Sequence, residues 1–298
     1  MAGGVLTLQE LAGLAERHAG ELHGGVASFD LGGRVFDFGR PQVMGVVNLS
    51  ADSWYRESVC LSTESAVERG RVLVAQGAAL MDVGAESTLE QAERVNAADQ
   101  QARLLPVVKG LREAGVLVSV ETYEAAVAKD CLEAGANVLN LTGPGQGEAC
   151  YQLAAEHEAA VIICFVQGEH VRAVGNLELG KDPVGAMYEF FAREIDRAIK
   201  AGVERLFVDP GLGFYYRNLG DSETRVRHQM KVFLNSFRLR RLGWPVCHAL
   251  PHAFEFFREE VRCAEPYFAV LAALGGTSLF RTHEVARTRA VLETMMAY

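Results

Sequence analysis

Residues 44–52, MGVVNLSAD, and residues 80–88, LMDVGAEST, each run through a short apolar stretch and stop abruptly in polar, loop-forming side chains. A parallel strand covered on both faces reads this way when it delivers side chains to a rim at its carboxyl end. The same cadence recurs along the chain. Segments QVMGVVN, AALMDV, VLVSVE, NVLNL, AVIICF, RLFVD, WPVCH and SLFRTH read as strands, with polar or reactive ends at Asn48, Asp82, Glu121, Asn140, Cys164, Asp209, His248 and Arg281. Between them lie segments with apolar residues at helical spacing, such as SAVERGRVLVAQGA and MYEFFAREIDRAIKAG. Several close with a glycine just past the last apolar turn, at Gly77, Gly115, Gly135 and Gly202, which is helix C-cap chemistry.

Eight strands alternating with helices predict an α/β fold of the (β/α)₈ TIM-barrel type, with its chemistry at the carboxyl ends of the strands. An open doubly wound sheet is the competitor. It is disfavoured because no G-x-G-x-x-G turn follows the first strand and because all eight strand ends carry polar or reactive groups. Ahead of the barrel, residues 8–19 read as a helix, and ASFDLGGRVFDFG reads as two alternating runs around a Gly-Gly turn. The expectation is one barrel domain over 1–298, in which 1–40 form a helix and hairpin closing the barrel bottom and 41–298 form the barrel. No low-complexity segment or linker divides the chain.

With 298 residues and 49% hydrophobic content the chain can bury one large core. Lys and Arg total 29 against 38 Asp and Glu, a net charge of −9, which argues against general attraction to nucleic acid or anionic lipid. An anionic ligand must therefore meet a local positive patch. The six cysteines show no C-x-x-C spacing and include members of apolar runs, so buried free thiols in a reducing, cytoplasmic setting are expected. The amino terminus does not resemble a secretory signal, and no apolar run approaches the ~20 residues needed to cross a bilayer.

On such a barrel Asn48, Asp52, Asp82, Glu86, Glu121, Asn140, Asp209, Arg281 and His283 converge on one rim. Glu121, Asn140 and Asp209 can accept from and donate to a flat, nitrogen-rich heterocycle, since carboxylates take N–H bonds and an amide offers both polarities. Arg281 and His283 are alternate residues where the last strand leaves the sheet, so they point the same way and make a cationic pair suited to phosphate oxygens. Asn48 offers a hard oxygen for Mg²⁺ held on a diphosphate. Asp82 and Glu86 suit general acid or base work, or simply the anchoring of loops through backbone N–H groups.

The ordered motifs MGVVNLSADSW, LMDVGAESTLEQ, SVETY, VLNLTG, FVDPGLGFYYR, VCHALPHAF and RTHEV resemble those of the dihydropteroate synthase family, the pterin-binding (β/α)₈ enzymes of folate synthesis. That family reads approximately MGILNVTPDSF, IIDVGGESTRPG, SVDT, IIND, LDPGIGFGK, VGVSRKSF and RVHDV at the same places. The resemblance covers about residues 42–298. It implies a transferase in which a dihydropterin methyl diphosphate loses pyrophosphate and the resulting cation is captured by the amine of p-aminobenzoate. By position, Asn48, Arg281 and His283 would hold the diphosphate, with Mg²⁺ near Asn48, and Glu121, Asn140, Asp209 and Phe214 would hold the pterin. Asn48, Asp82, Arg281 and His283 would be the catalytic set. The resemblance also implies a homodimer and a small-molecule pterin partner, while the acidic charge and the short apolar runs argue against nucleic acid and membrane.

The departures are concentrated. Where the family has Arg-Pro-Gly after EST, this chain has Leu89, Glu90 and Gln91. Where it has SRKS, this chain has Ala249, Leu250, Pro251 and His252, which removes a lysine that contacts the pterin and a serine that faces the aminobenzoate. His248 or His252 is left as a replacement donor. SVDT becomes Ser119, Val120, Glu121 and Thr122, the second acid of IIND becomes Leu141, and the lysine of GFGK gives way to Tyr216 or Arg217. The diphosphate half of the pattern is intact, the pterin half partly intact and the aminobenzoate half missing. Four readings follow: a genuine dihydropteroate synthase, a transferase with a different acceptor, a non-catalytic pterin-binding or regulatory homologue, or a methyltransferase like the methyltetrahydrofolate enzymes.

Two further stretches have plainer readings. The glycines of TGPGQGEACYQLAAEHEA read as a βα turn rather than an anion cradle. RVRHQMKVFLNSFRLRRLGWP reads as an amphipathic helix with a solvated basic face rather than a nucleic-acid site.

Overall fold

A computed structural model describes residues 5–53, 55–87, 94–143, 147–168, 175–214 and 216–298. Helix α1 (Leu8–Arg17) starts in a capping box, in which the Thr7 hydroxyl accepts from the Glu10 N–H and the Glu10 carboxylate accepts from the Thr7 N–H. The hairpin follows as β1 (Phe29–Leu31) and β2 (Arg34–Phe36), paired antiparallel with Leu31 opposite Arg34. Its turn uses Gly32 at φ +57° and Gly33 at φ +80°, the left-handed geometry a two-residue hairpin turn requires. A Cβ on Gly32 would also sit 2.7 Å from Leu117 Cδ2, so glycine is demanded there by space as well as by backbone.

From Gln42 onward strands and helices alternate as expected. The order is β3 (Gln42–Asn48), α2 (Thr63–Ala75), β4 (Leu80–Gly84), α3 (Ala97–Glu113), β5 (Val118–Thr122), α4 (Ala125–Glu133), β6 (Val138–Leu141) and α5 (Gly147–Glu156). Then come β7 (Ala160–Cys164), α6 (Pro183–Lys200), β8 (Leu206–Asp209), α7 (Ser222–Asn235), β9 (Cys247–Ala249), α8 (Phe254–Phe257), α9 (Ala264–Leu274), β10 (Leu279–Thr282) and α10 (Val285–Met296). All eight strands from β3 to β10 are parallel, in the order β8-β7-β6-β5-β4-β3-β10-β9. A bridge between Val208 and Val246, with the Val208 N–H donating to the Pro245 carbonyl, brings the two ends together. This is the expected TIM barrel, and each expected strand end lies within two residues of the observed one.

Side chains alternate between the barrel interior and the helical layer with period two. The interior floor is apolar: Met44, Leu80, Val138, Ala160, Phe207 and Leu279 pack together with Leu31, Phe36 and Phe38 of the hairpin region. Phe29 and Phe38 meet Phe207 edge-on at 5.3 and 5.8 Å, so the hairpin seals the amino-terminal end of the barrel. The outward set, including Val47, Val83, Val118, Leu139, Val161 and Val208, joins the helices in the larger core. All six cysteines are free, and five are buried; Cys263 is exposed. Among the described residues no helix is long and apolar enough to cross a membrane.

The basic segment after β8 is helix α7 followed by a 3₁₀ stretch, Ser236–Leu242, but its arginines are not all on a solvated face. Arg225 is buried and its Nη2 donates to both carboxylate oxygens of Glu255 at 2.8 and 3.0 Å. Arg238 makes a two-pronged contact with Asp182 at 2.7 Å on each prong. These guanidinium groups bind protein carboxylates and tie helices together.

Candidate active site at the carboxyl ends of the barrel strands

The polar layer lies one step above the apolar floor, because each inward series changes character at its last member. Met44 is followed in phase by Val46 and Asn48, Leu80 by Asp82, Val138 by Asn140, Phe207 by Asp209 and Leu279 by Arg281. The strand register places Asp82 beside Ser119, Glu121 beside Asn140, and Cys164 beside Asp209.

Arg281 is the centre of this layer. Its Nε donates to Asp82 Oδ2 at 2.7 Å and its Nη2 donates to Glu121 Oε2 at 2.6 Å. Asp82 is fully buried and also accepts from Ser119 Oγ at 2.6 Å and Asn140 Nδ2 at 3.2 Å. Burial works against the Arg281 charge, yet the Asp82 and Glu121 carboxylates more than offset it and hold the guanidinium protonated above its ordinary range. Glu121 is different: burial pushes its carboxyl up, to about 7, against the pull of Arg281. Burial also raises Asp209 to about 6, opposed by the Gly211 N–H that donates to Oδ1 at 2.8 Å and by Arg281. Burial thus lifts both carboxyls above the ordinary carboxylate range, and acids perturbed in this way cluster at functional sites.

Glu121, Asn140, Asp209, Phe214, Arg281, His283 and Asn48 line one pocket, together with Cys164, Ala249 and His252. Asp82 lies beneath this surface, where it orients Arg281 and Asn140. The Asn48 amide nitrogen donates to Ser53 Oγ at 2.8 Å and Ser58 Oγ at 2.6 Å. Its oxygen accepts no hydrogen bond among the described residues and is left as a hard donor. Glu86 reaches the rim, but its Oε1 accepts from the Val95 N–H at 2.9 Å and its Oε2 from the Tyr123 hydroxyl at 2.6 Å. Asp52 sits in the loop after β3 and does not line the pocket.

Of the two histidines left open as replacement donors, only His252 faces the pocket. His248 points out of the barrel, where Nε2 meets Ser236 Oγ at 2.8 Å and the ring packs on Phe233 at 4.7 Å. Burial depresses its imidazole to about 3. The inward phase of β9 belongs to Cys247 and Ala249.

The sequence did not single out Glu265 and Tyr55. Glu265, in the first turn of α9, is buried and pairs with His283, Oε1 to Nδ1 at 2.7 Å. Burial would raise its carboxyl, but His283 and the surrounding donors hold it down at about 2. The Tyr55 ring packs 4.9 Å from both His252 and His283, and its hydroxyl donates to Glu284. A first-turn glutamate and a loop tyrosine are ordinary in sequence; only the fold brings them to the rim. Leu89, Glu90 and Gln91 of the altered second loop, and residues 144–146 of the glycine turn, lie outside the described residues.

The fold and its rim define a parallel α/β barrel that presents buried carboxylates, an amide and a cation to one pocket. Residues 44–283 match the family model described as pterin binding enzyme, and the chain belongs to this family, that of the dihydropteroate synthases. The dihydropteroate synthase of Synechocystis is 29% identical over 269 residues, covering 86% of this chain and 89% of the relative. That of a Streptococcus pyogenes serotype M6 strain is 31% identical over 212 residues, covering 70% and 74%. Among solved structures, Xanthomonas albilineans dihydropteroate synthase with 4-aminobenzoic acid has a TM-score of 0.75 at 28% identity, covering 91% of this chain and 97% of that one. The Thermus thermophilus enzyme in complex with 6HMPPP gives 0.72 at 27% identity, covering 91% and 99%.

Proposed function

We propose that this chain binds a dihydropterin methyl diphosphate at the barrel rim, releases pyrophosphate with the help of Mg²⁺, and passes the pterin methylene carbon to an acceptor other than p-aminobenzoate. The observation that carries this reading is the placement of Glu121, Asn140 and Asp209 around one pocket whose adjoining wall is Asn48, Arg281 and His283. Asp209 and Glu121 supply acceptors for the N–H edge of a pterin, and Asn140 supplies an amide. Phe214 offers a ring face at the same pocket.

The chemistry needs a C–O bond to break, with its electron pair leaving on the diphosphate. The electron-rich pterin stabilises the methylene cation left behind, and the acceptor's lone pair closes the new bond as its proton departs. Arg281, a cation, and His283, an imidazole at the same rim, are the groups this chain can turn toward the departing charge, and preorganised charge and dipoles lower the barrier to ionisation. Mg²⁺, bound to the diphosphate, would add Lewis-acid stabilisation of the leaving oxygens. The residue that fits it is Asn48, whose amide oxygen accepts from no donor among the described residues.

The acceptor side supports the departure from p-aminobenzoate. Ala249, Leu250 and Pro251 bring no cation to the pocket wall where an anionic acceptor would need one. The cytoplasm is the proposed compartment, in keeping with six free thiols, and a homodimer is proposed from family membership. The test is pyrophosphate release from dihydropterin methyl diphosphate, with and without Mg²⁺, across a panel of amines. Mg²⁺-dependent release is expected. Release that stays at background with every amine, alongside tight pterin binding, would replace the enzyme with a pterin-binding module.

A further inference from the structure

Three side chains from separate places in the fold meet at one corner of the barrel rim: His252 after β9, Glu265 at the start of α9 and His283 after β10. One ligand atom from each lies within 4.8 Å of the others. Glu265 Oε1 is the meeting point, 2.7 Å from His283 Nδ1 and 3.5 Å from His252 Nδ1. The second carboxylate oxygen is fully engaged. It accepts from the Thr282 hydroxyl at 2.5 Å and from the backbone N–H groups of His283 and Glu284 at 2.8 and 3.0 Å.

A metal-free account explains only half of this. His283 and Glu265 alone would make a hydrogen-bonded pair. His252 Nδ1, however, is buried and has no hydrogen-bond partner, and buried polar atoms without partners are rare. Its ring is held in place by stacking on Tyr55 at 4.9 Å, interplanar angle 19°, so the nitrogen is aimed at the carboxylate and does not bond to it.

We propose that His252, Glu265 and His283 form a binding site for a divalent transition cation of the Zn²⁺ class. Two imidazoles and one carboxylate are the donors such cations select over Mg²⁺. Ligands about 2.1 Å from Zn²⁺ stand roughly 3.4 Å apart in tetrahedral geometry, which the His252–Glu265 separation already matches. The His283–Glu265 contact opens by less than about 1 Å once its shared proton is displaced. The three donors bonded to the far oxygen of Glu265 are the outer support that fixes a ligating carboxylate. Because His252 and His283 both line the pocket, the remaining coordination position is left on the pocket side, open to an oxygen ligand. The site stands on its own geometry and does not depend on the pterin reading.

The experiment is calorimetry of the untagged, chelator-stripped chain with ZnCl₂ alone, no pterin present, paired with Co²⁺ substitution and its visible absorption. One Zn²⁺ per chain and tetrahedral Co²⁺ bands are expected. His252→Phe, which keeps a ring against Tyr55 and deletes the donor, should weaken binding at least about 100-fold. Glu265→Gln should do the same. Cys263→Ser, which removes the exposed thiol near Glu260, should leave binding unchanged. Absence of stoichiometric binding, survival of binding in both His252→Phe and Glu265→Gln, or its loss in Cys263→Ser would each overturn the proposal.

Discussion

Arg281 Nε donates to Asp82 Oδ2 at 2.7 Å across the interior of the barrel, joining the last strand to the second. With Glu121 on its other arm, the guanidinium is a structural strut before it is a ligand for anything. Removing it strands Asp82, which has no exposure to water. Breaking a buried pair by deleting one partner costs about 3–5 kcal/mol. Arg281→Met should therefore lower unfolding free energy by that order in urea titration. Asp82→Asn combined with Arg281→Met should recover a large part of the loss, since the two residues are coupled. Equal losses in the single and double variants would show that the ion pair is not what Arg281 contributes.

Glu121 gives a pH signature of definite sign. Its carboxyl is raised in the folded chain from 4.5 to about 7, so the folded state binds a proton the unfolded state has lost. The corresponding stability is present below the unfolded pKa and is lost as pH rises toward 7. Glu121→Gln cannot titrate. Its stability relative to the parent chain should thus rise between pH 4.5 and 7 by about 2–3 kcal/mol, read from paired thermal or urea melts. A flat difference across that window would remove Glu121 from the set of perturbed acids.

Gly211 holds Asp209, the carboxylate proposed to meet the pterin, in place. It adopts φ +72°, donates its N–H to Asp209 Oδ1, and would put a Cβ 2.3 Å from the Phe165 carbonyl oxygen. Gly211→Ala keeps the N–H but forces the turn to shift, so it should cost about 2 kcal/mol of stability and, by pulling that donor away from Asp209, reduce pterin affinity about tenfold. Unaltered affinity in a destabilised variant would separate the turn from the ligand site.

The strand ends were legible because a buried parallel strand must change from apolar to polar where it leaves the core, and Asn48, Asp82, Glu121, Asn140, Asp209 and Arg281 all mark that change. Their division of labour was not. Asp82 and Asp209 look alike in sequence, yet the first lies under the pocket and the second faces it, a difference set by strand stagger. His248 and His252 were equivalent as candidates until the phase of the three-residue strand β9 turned one outward. Glu265 was invisible because a glutamate in a helix's first turn is favoured there by the helix dipole alone. Its partnership with His283 depends on α9 delivering the Glu265 carboxylate to Thr282 and His283 at the end of β10, which no local pattern encodes.

The heterocycle is proposed to sit on Asp209 with the diphosphate toward Asn48, Arg281 and His283, leaving p-aminobenzoate no place beside it. Calorimetric titration of the full chain with dihydropterin methyl diphosphate in Mg²⁺, followed by p-aminobenzoate, tests it directly. The predicted result is saturable pterin binding that Asp209→Asn abolishes, with no heat from the added acid. Undiminished binding in Asp209→Asn, or saturable uptake of p-aminobenzoate by the pterin-loaded chain, would contradict it.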